Sequence, residues 1–360
     1  MYKYILTALT LIMGVCTSYA QSRVQRYDIT EGDNNSVVYA LPLTRLYVTV
    51  TVEEEVTTPG EFALYAEKYL GIKTVPMQPT QTFRIKEIKM GAYGVPNPEQ
   101  RYTVQFKSNS AASYLQLTQD GILCAINSEY IPLSQMPEEK MTDFETEEAI
   151  DRLSSMSEEY VQATTKTKQA EITAREIFRI RESRTSIVSG EAEQPFPDGQ
   201  AMKLAISGLD KQEKALTERF VGKVKVRTRT FVIRNLSAEE EGRTVAFRFS
   251  EALGLLDKAD LRGEPVYLNI KVLDRAPELT EKEAARKAKS LKGIIYTVPG
   301  KIRASLSSSE GKSILSGDYD IAQLGTQEAL NPALFTAKKG RASLILNPET
   351  GSIRQVKETN

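Results

Sequence analysis

Residues 167–222 decide the fold class; they read TKQAEITAREIFRIRESRTSIVSGEAEQPFPDGQAMKLAISGLDKQEKALTERFVG. Apolar residues recur at helical intervals on both sides of a proline-containing break. They are Ile172, Ile177, Ile180 and Ile187, then Met202, Ile206, Leu209, Leu216 and Phe220. Gly190 and Gly222 are typical helix ends, and Asp198 is a typical N-cap. We therefore predict an αα-hairpin with arms of about 23 residues, each ~35 Å long.

The first arm of this hairpin carries a group of arginines that resembles an anion-binding patch. They are Arg175, Arg179, Arg181 and Arg184. Glu171, Glu176 and Glu182 alternate with them, at the three- and four-residue spacings that bring side chains together on a helix. The pattern favours a solvated face crossed by salt bridges over an anion site.

Strand patterns lie on both sides of the hairpin. Leu46, Val48, Val50 and Val52 alternate with polar residues, and Lys223 opens a second region of the same kind. Two shorter helices interrupt these regions, each predicted from a capping box. The first would begin at Thr58 with Glu61 and end at Gly71, and the second would begin at Thr280 with Glu283.

The predicted fold is therefore α+β, with two antiparallel β-rich lobes of sandwich or open-barrel type around a central hairpin. The expected segments are a signal peptide (1–20), an N-terminal β-rich domain with one short helix (21–137), a hairpin region (138–222), and a C-terminal β-rich domain with one or two short helices (223–360). Residues 115–123 resemble 344–353, both reading strand, glycine turn, strand. An internal duplication and generic hairpin sequence both explain this likeness.

Composition excludes several chemistries. The 360 residues include 47 Lys+Arg and 47 Asp+Glu, but neither His nor Trp. Without His there is no histidine-based nucleophilic system and no His-containing metal site. The balanced charge argues against nucleic acid as a partner. No catalytic, cofactor-binding or metal-binding residues are assigned, and no transmembrane segment is expected.

The N-terminus has the pattern of a signal peptide. Lys3 precedes an apolar run, Ile5 to Val15, and Ser18 and Ala20 fit a cleavage site after Ala20. We expect export to the periplasm or cell surface. Cleavage removes Cys16, so Cys124 would remain alone, without an internal disulfide, as a buried structural thiol.

Short motifs give little support to catalysis. Ser309 and Lys312 have a serine–lysine spacing, but they fall in a predicted turn. Glu53–Glu55 would end a strand and offer at most a weak calcium site, and Asp318 and Asp320 lack the rest of a calcium loop. A glycan hydrolase needs only two carboxylates in a groove, so this class stays open. Its stacking platforms would be strand tyrosines: Tyr93, Tyr102, Tyr267, Tyr296 and Tyr319.

Five segments carry a resemblance to a known family. They are FALYAEKYLG (62–71), EIFRIRESR (176–184), LDKQEKAL (209–216), YTVPG (296–300) and IAQLG (321–325). With them, the mature chain resembles the domain of unknown function 4831 family. The resemblance implies an exported bacterial protein of gut-type Gram-negative anaerobes. It implies no activity and no site residues.

Three functions remain at this point. The favoured one is an exported, non-catalytic cell-envelope protein that binds a protein or glycan partner through the hairpin. The alternatives are a carboxylate-based glycan hydrolase and a structural component that acts by homo-oligomerisation.

Overall fold

The computed structural model describes residues 25–27, 36–105, 115–132, 136–144, 158–191, 198–291, 293–331, 333–336 and 341–359. The predicted signal peptide, residues 1–20, lies outside these ranges. The described chain forms three β-sheets and a set of helices, which confirms the α+β class.

Strands make up about half of the described chain. They are β1 (Gln25–Tyr27), β2 (Ser36–Thr58), β3 (Thr80–Gln105), β4 (Leu115–Leu117), β5 (Leu123–Ile126), β6 (Lys140–Met141), β7 (Lys223–Leu236), β8 (Gly242–Ser250), β9 (Gly254–Leu256), β10 (Glu264–Asp274), β11 (Ile294–Ser307), β12 (Ser313–Leu330), β13 (Arg341–Leu346) and β14 (Ile353–Thr359). The helices are α1 (Ala66–Leu70), α2 (Glu158–Gln162), α3 (Lys166–Ser189), α4 (Gly199–Val221), α5 (Glu281–Ser290) and α6 (Ala333–Thr336), with a 3-10 helix at Ala63–Tyr65.

The strands pair into three sheets. Sheet A has the order β1-β4-β5-β13-β14, sheet B has β3-β2-β7-β6, and sheet C has β12-β11-β10-β8-β9. Sheets A and B each combine strands from both sides of the helical hairpin. The division of the chain into domains stays a prediction, but the two β-rich regions share these sheets.

Sheet B and sheet C enclose the largest apolar core. The alternating residues of β2 place Leu46, Val48, Val50 and Val52 on one face, and all four are buried. They pack with residues from sheet C that include Leu268, Ile302, Leu306 and Ile321. A second core lies against sheet A, around Leu115, Ile126, Phe335 and Leu344.

The helical hairpin forms with the predicted bounds to within one residue. The carboxylate of Asp198 accepts hydrogen bonds from the backbone N–H groups of Gln200 (2.8 Å) and Ala201 (2.7 Å). Gly190 ends α3 with φ 78° and Gly222 follows α4 with φ 84°, which is backbone that glycine adopts without strain. The hairpin has its own core, with Phe62, Ile177, Leu216 and Phe220.

The capping box predicted at Thr58 and Glu61 is wrong. Thr58 is the last residue of β2, paired with Lys223 of β7, and the helical turns begin only at Ala63. The Glu61 carboxylate instead forms ion pairs with Lys166 and Arg219. Pairing with β7 therefore overrides the local signal. The capping box at Thr280 and Glu283 is confirmed.

The structure extends the internal likeness seen in sequence. Val37–Pro42 (VVYALP) opens the β2–β3 hairpin, and Ile294–Pro299 (IIYTVP) opens the β11–β12 hairpin. Each pairing shifts register at its proline. Each first strand also donates a backbone N–H to the glycine turn of the short hairpin that follows: Ala40 to Gly121 O at 2.9 Å, and Thr297 to Gly351 O at 3.0 Å. These parallels favour internal duplication.

Candidate functional site

The three sheets meet along the first third of β2. The Tyr39 hydroxyl of β2 donates to the backbone oxygen of Ile295 (3.0 Å) and accepts from its N–H (2.7 Å), which joins sheet B to sheet C. The hydrogen bond from Ala40 to Gly121 joins the same strand to sheet A. We call the region around residues 39–47 the three-sheet junction.

Thr44 is the centre of a polar network at this junction. Its side chain is buried, and its hydroxyl donates to Glu349 O (2.8 Å) and accepts from Ala322 N (3.0 Å). The Gln323 side-chain amide bonds to both the N–H and the C=O of Thr44, at 2.9 and 2.8 Å. Because each buried polar atom has a partner, the network fixes the β13–β14 turn against β2.

The turn that carries Glu349 approaches sheet B closely at Gly94. A Cβ at Gly94 would lie 2.0 Å from Pro348 O and 3.1 Å from Glu349 Cα, so only glycine fits. Gly94 pairs with Thr44, and its neighbour Tyr93 pairs with Arg45. Thr44 and Gly94 therefore share the face of sheet B that the Glu349 turn approaches, whereas Tyr47 and Tyr93 point to the other face.

The charge of Glu349 acts on two tyrosines, Tyr47 and Tyr130, and the Tyr47 ring lies next to that of Tyr93; we call these four residues the tyrosine–glutamate cluster. Tyr47 and Tyr93 have ring centroids 6.2 Å apart, with planes tilted by 52°. The pKa of Tyr47 is raised, mainly by burial and to a smaller extent by the charge of Glu349. Burial also raises the pKa of Tyr130 to about 12; Cys124 and Glu349 raise it further by smaller amounts, and the charge of Arg354 lowers it. The charge of the Glu349 carboxylate thus contributes to raising the pKa of both Tyr47 and Tyr130.

The Glu349 carboxylate is half-buried, and burial raises its pKa above the usual range of a glutamate. Among the described residues, no side chain forms a hydrogen bond or ion pair with it. Two other carboxylates of sheet B are paired: Glu53 with Arg84 and Lys86, and Glu54 with Arg227. A half-buried carboxylate without a cation is unfavourable, which makes this cluster a candidate ligand site.

The hairpin is the second candidate surface. Among the described residues, α3 and α4 pack mainly against each other and against the short helical segments, and neither packs broadly on a sheet. Phe178 is 44% exposed, Val188 64% and Leu204 77%. Val188 and Leu204 lie near the end of the hairpin where α3 meets the connection to α4. We call these two residues the apolar tip.

The salt bridges predicted within the first arm are confirmed for Arg175 and Arg179, whereas Arg181 and Arg184 pair with carboxylates of α4. Arg184 contacts both Asp210 and Glu213 at 2.7 Å, and Arg181 contacts Glu213 at 2.5 Å. Arg175 and Arg179 pair with glutamates of their own helical segments, at 3.0 Å to Glu171 and 3.4 Å to Glu176. The arginines are thus engaged within the hairpin.

At the root of the hairpin, one arginine joins α4 to the sheets. The Arg219 guanidinium lies 4.6 Å from the ring centroids of both Phe62 and Tyr160, and it pairs with Glu61 at 2.8 Å. The backbone N–H of Phe62 donates to Arg219 O at 2.7 Å. Cation–π contacts of this kind help to hold α4 against the end of β2.

The structure also places the residues that short motifs singled out. Cys124 is buried, and burial raises its pKa to about 12, so it is a structural thiol as expected. Ser309 and Lys312 lie in the β11–β12 turn, where Ser308 N donates to Lys312 O at 3.0 Å. The serine–lysine pair therefore lies in a turn, as predicted.

Four of the acidic candidates for calcium are paired with basic side chains: Glu53, Glu54, Asp318 and Asp320. Glu53–Glu55 lie within β2 and do not end it, because the strand runs on to Thr58; this corrects the sequence expectation. Glu54 pairs with Arg227 at 2.6 Å, and Arg303 forms a two-point ion pair with Asp318 that lowers the pKa of that carboxyl. In the part of the chain that the structure describes, no three potential ligands converge on a metal position.

The tyrosines proposed as platforms serve mostly as links between strands. The hydroxyl of Tyr93 bonds to Asn235, that of Tyr102 to Gln327 and that of Tyr319 to Met90 O. The Tyr267 ring lies under the Arg243 guanidinium, at 3.7 Å. Tyr47 and Tyr130 were not found from sequence, since only folding brings Glu349 to them.

The fold and the site define an α+β protein in which three sheets meet beside an attached helical hairpin. Residues 35–354 match the model of the domain of unknown function family DUF4831, so the chain belongs to this family. No curated protein and no solved structure shows significant similarity to the chain. Within the described ranges, none of the helices combines the length and the apolar character that crossing a membrane requires.

Proposed function

We propose that this chain is an exported, non-catalytic protein of the cell envelope that binds a protein partner through its hairpin. The observation that carries the proposal is the apolar tip. Val188 and Leu204 are largely exposed on helices that pack on each other rather than on a sheet. Exposed aliphatic side chains on a rigid helical pair suit contact with another protein.

A glycan partner is the weaker form of this proposal. Glycan sites generally use aromatic rings and hydrogen-bonding groups, and the tip offers aliphatic side chains. The arginines along the hairpin are engaged in ion pairs, which leaves the tip as its distinctive surface.

The test compares binding by tip variants with binding by a matched control. The double variant V188D/L204D places charge on the tip, and L261D places the same charge at a residue that is 80% exposed elsewhere. A partner is first identified by cross-linking to the wild-type protein in envelope extract, then purified and titrated. We expect V188D/L204D to bind at least about tenfold more weakly, and L261D to bind like wild type. Equal affinity of V188D/L204D and wild type would refute docking at the tip.

Export rests on the N-terminal sequence and has its own test. We expect the mature protein to begin at Gln21 and to separate with the envelope fraction. The L11R change interrupts the apolar run and is expected to leave the precursor uncleaved. A wild-type chain that keeps Met1 in the cytoplasm would overturn the proposal.

The alternatives stay predictions. A glycan hydrolase needs two carboxylates across a groove, ~5–9.5 Å apart. A shallow depression of about 330 Å³ is lined by Glu240, Glu241, Val272 and Arg275, but the Glu241 carboxylate accepts from Val272 N at 2.8 Å. Homo-oligomeric assembly is testable by sedimentation, in which a monomer at high concentration would exclude it.

A further inference from the structure

We propose that the outer edge of β14 binds an extended strand of a partner protein. The partner strand pairs antiparallel with β14 and places an aliphatic side chain opposite Val356. This edge belongs to sheet A and is separate from the apolar tip, so the inference stands or falls independently of the proposed function.

Sheet A contains two β-hairpins side by side, β4–β5 and β13–β14, and both pair in the same register. Three residue pairs of the first have direct counterparts in the second, and the register shifts at the same place in each. The pairs are Leu115 with Ile126, Gln116 with Ala125 and Leu117 with Leu123 in the first, and Leu344 with Val356, Ile345 with Gln355 and Leu346 with Ile353 in the second. Strand β14 therefore corresponds to β5, and Val356 corresponds to Ile126.

The two corresponding strands differ at their outer edges. The edge of β5 pairs with β13, which places Leu344 opposite Ile126, and Ile126 is fully buried. Within the part of the chain that the structure describes, β14 pairs with β13 alone, and Val356 is 53% exposed. The second β-hairpin thus presents the same edge as the first, but no described strand covers it.

The pairing of β5 with β13 defines the chemistry of a strand that fits this edge. Such a strand runs antiparallel, bonds through its backbone N–H and C=O groups, and faces Val356 with an aliphatic residue, as Leu344 faces Ile126. Arg354 and Lys357 are exposed on β14. Because basic residues on an edge strand discourage unselective pairing, acidic residues on either side of the aliphatic pair suit the partner strand.

A second copy of the chain fits the edge less well. Its strand that corresponds to β13 is β4, and the outer edge of β4 already pairs with β1. Self-association in the register of β5 and β13 would therefore have to displace β1. A separate protein with a free extended segment meets no such obstacle.

The experiment is a calorimetric titration of the full chain with the peptide Ac-AELIEN-NH2. This peptide follows residues 342–347 (ASLILN), with a glutamate on each side of the central Leu-Ile pair. Ac-AEDIEN-NH2 replaces the leucine with aspartate, and Ac-AKLIKN-NH2 reverses the charges. A fourth peptide carries N-methyl groups on the leucine and the isoleucine. Successive N–H groups of a strand point to opposite edges, so this peptide lacks the central donor that faces β14.

The matched protein variants are V356D and V224D, the second at a valine that is 59% exposed on β7. We expect Ac-AELIEN-NH2 to bind wild type and V224D equally, and to bind V356D about tenfold more weakly. We expect each of the other three peptides to bind wild type about tenfold more weakly than Ac-AELIEN-NH2. Circular dichroism checks that both variants fold, and the peptide series on wild type tests the pairing without any variant.

Equal binding of the N-methylated peptide to wild type would overturn strand pairing, as would equal binding of Ac-AELIEN-NH2 to V356D or no binding to wild type. Equal binding of Ac-AKLIKN-NH2 would overturn the acidic character of the partner. Sedimentation velocity tests the other occupant. A wild-type dimer that V356D abolishes and V224D preserves would identify a second copy at this edge and overturn the assignment to a partner protein.

Discussion

Gly60 lies at the root of the hairpin, and replacing it with alanine tests how tightly α4 is joined to the sheets. A Cβ at this position would lie 2.5 Å from Arg219 O and 2.7 Å from the carbonyl carbons of Arg219 and Phe220. All three are backbone atoms, so no side-chain rotation relieves the overlap. The end of α4 must move away from β2.

The magnitude follows from the contacts that this movement weakens. Ordinary van der Waals contact begins at 3.4 Å, so α4 must shift by roughly 1 Å. The hydrogen bond from Phe62 N to Arg219 O contributes about 1 kcal/mol. The contact between the Phe62 and Phe220 rings, 5.4 Å apart, contributes about 0.5–1.5 kcal/mol. With strain of ~1 kcal/mol or more, we expect G60A to lower the free energy of unfolding by about 2–4 kcal/mol.

The matched control is another glycine-to-alanine change on the same helix. Gly208 lies inside α4, and no atom would lie within 4 Å of an added Cβ. Because alanine favours the helix over glycine, we expect G208A to raise the free energy of unfolding by about 0.5–1 kcal/mol. The two variants thus change stability in opposite directions.

Urea unfolding followed by circular dichroism measures both variants, and limited proteolysis shows whether the hairpin is cleaved first. G60A is expected to increase cleavage within α3 and α4 under native conditions. A free energy of unfolding for G60A within about 0.5 kcal/mol of wild type would refute the close approach of α4 to Gly60.

Three further predictions concern Thr44, Glu349 and Cys124. T44V removes the hydroxyl that donates to Glu349 O and accepts from Ala322 N. Urea unfolding should therefore show that the free energy of unfolding falls by about 2 kcal/mol, and an unchanged value would contradict the network. Burial raises the pKa of Glu349 in the folded state, because the neutral carboxyl is the form that burial favours. The protonated carboxyl therefore contributes its full stabilisation below the ordinary pKa of about 4.3, and this stabilisation is lost as the pH rises through the raised pKa. E349Q should therefore match wild type near pH 4 and exceed it in melting temperature near pH 7. The charge of Glu349 acts on Tyr47 and Tyr130, and Arg354 acts on Tyr130. A lower melting temperature of E349Q at pH 7 would contradict this prediction. Cys124 should react with a thiol reagent only when the protein unfolds, and fast reaction of the native protein would contradict its burial.

Much of the helical structure was predictable because its signals are local. Asp198, Gly190 and Gly222 act on the few backbone groups next to them, and the spacing of Ile172, Ile177 and Ile180 identifies the buried face. The ion pairs of Arg175 and Arg179 follow from the same kind of spacing, but those of Arg181 and Arg184 with α4 do not. The capping box at Thr58 failed because the preceding residues pair with β7, more than 160 residues along the chain.

The candidate sites were less predictable. Glu349 has no distinctive local sequence, and Tyr47 looks like any tyrosine of an alternating strand. Their significance depends on Gly94, which allows the β13–β14 turn to approach β3, and on Thr44, which binds that turn. Contacts that join residues about 300 positions apart leave no periodic pattern in the chain.

The sequence by itself determined the α+β class, the helical hairpin, the absence of histidine chemistry and the resemblance to the family. These follow from composition, residue spacing and capping residues, which act over a few neighbouring positions. Only the tertiary structure decided which strands share a sheet, where the three sheets meet and which carboxylate is left half-buried beside tyrosines. Those features depend on burial and on hydrogen bonds between distant segments, since backbone groups taken from water must find partners wherever the fold provides them.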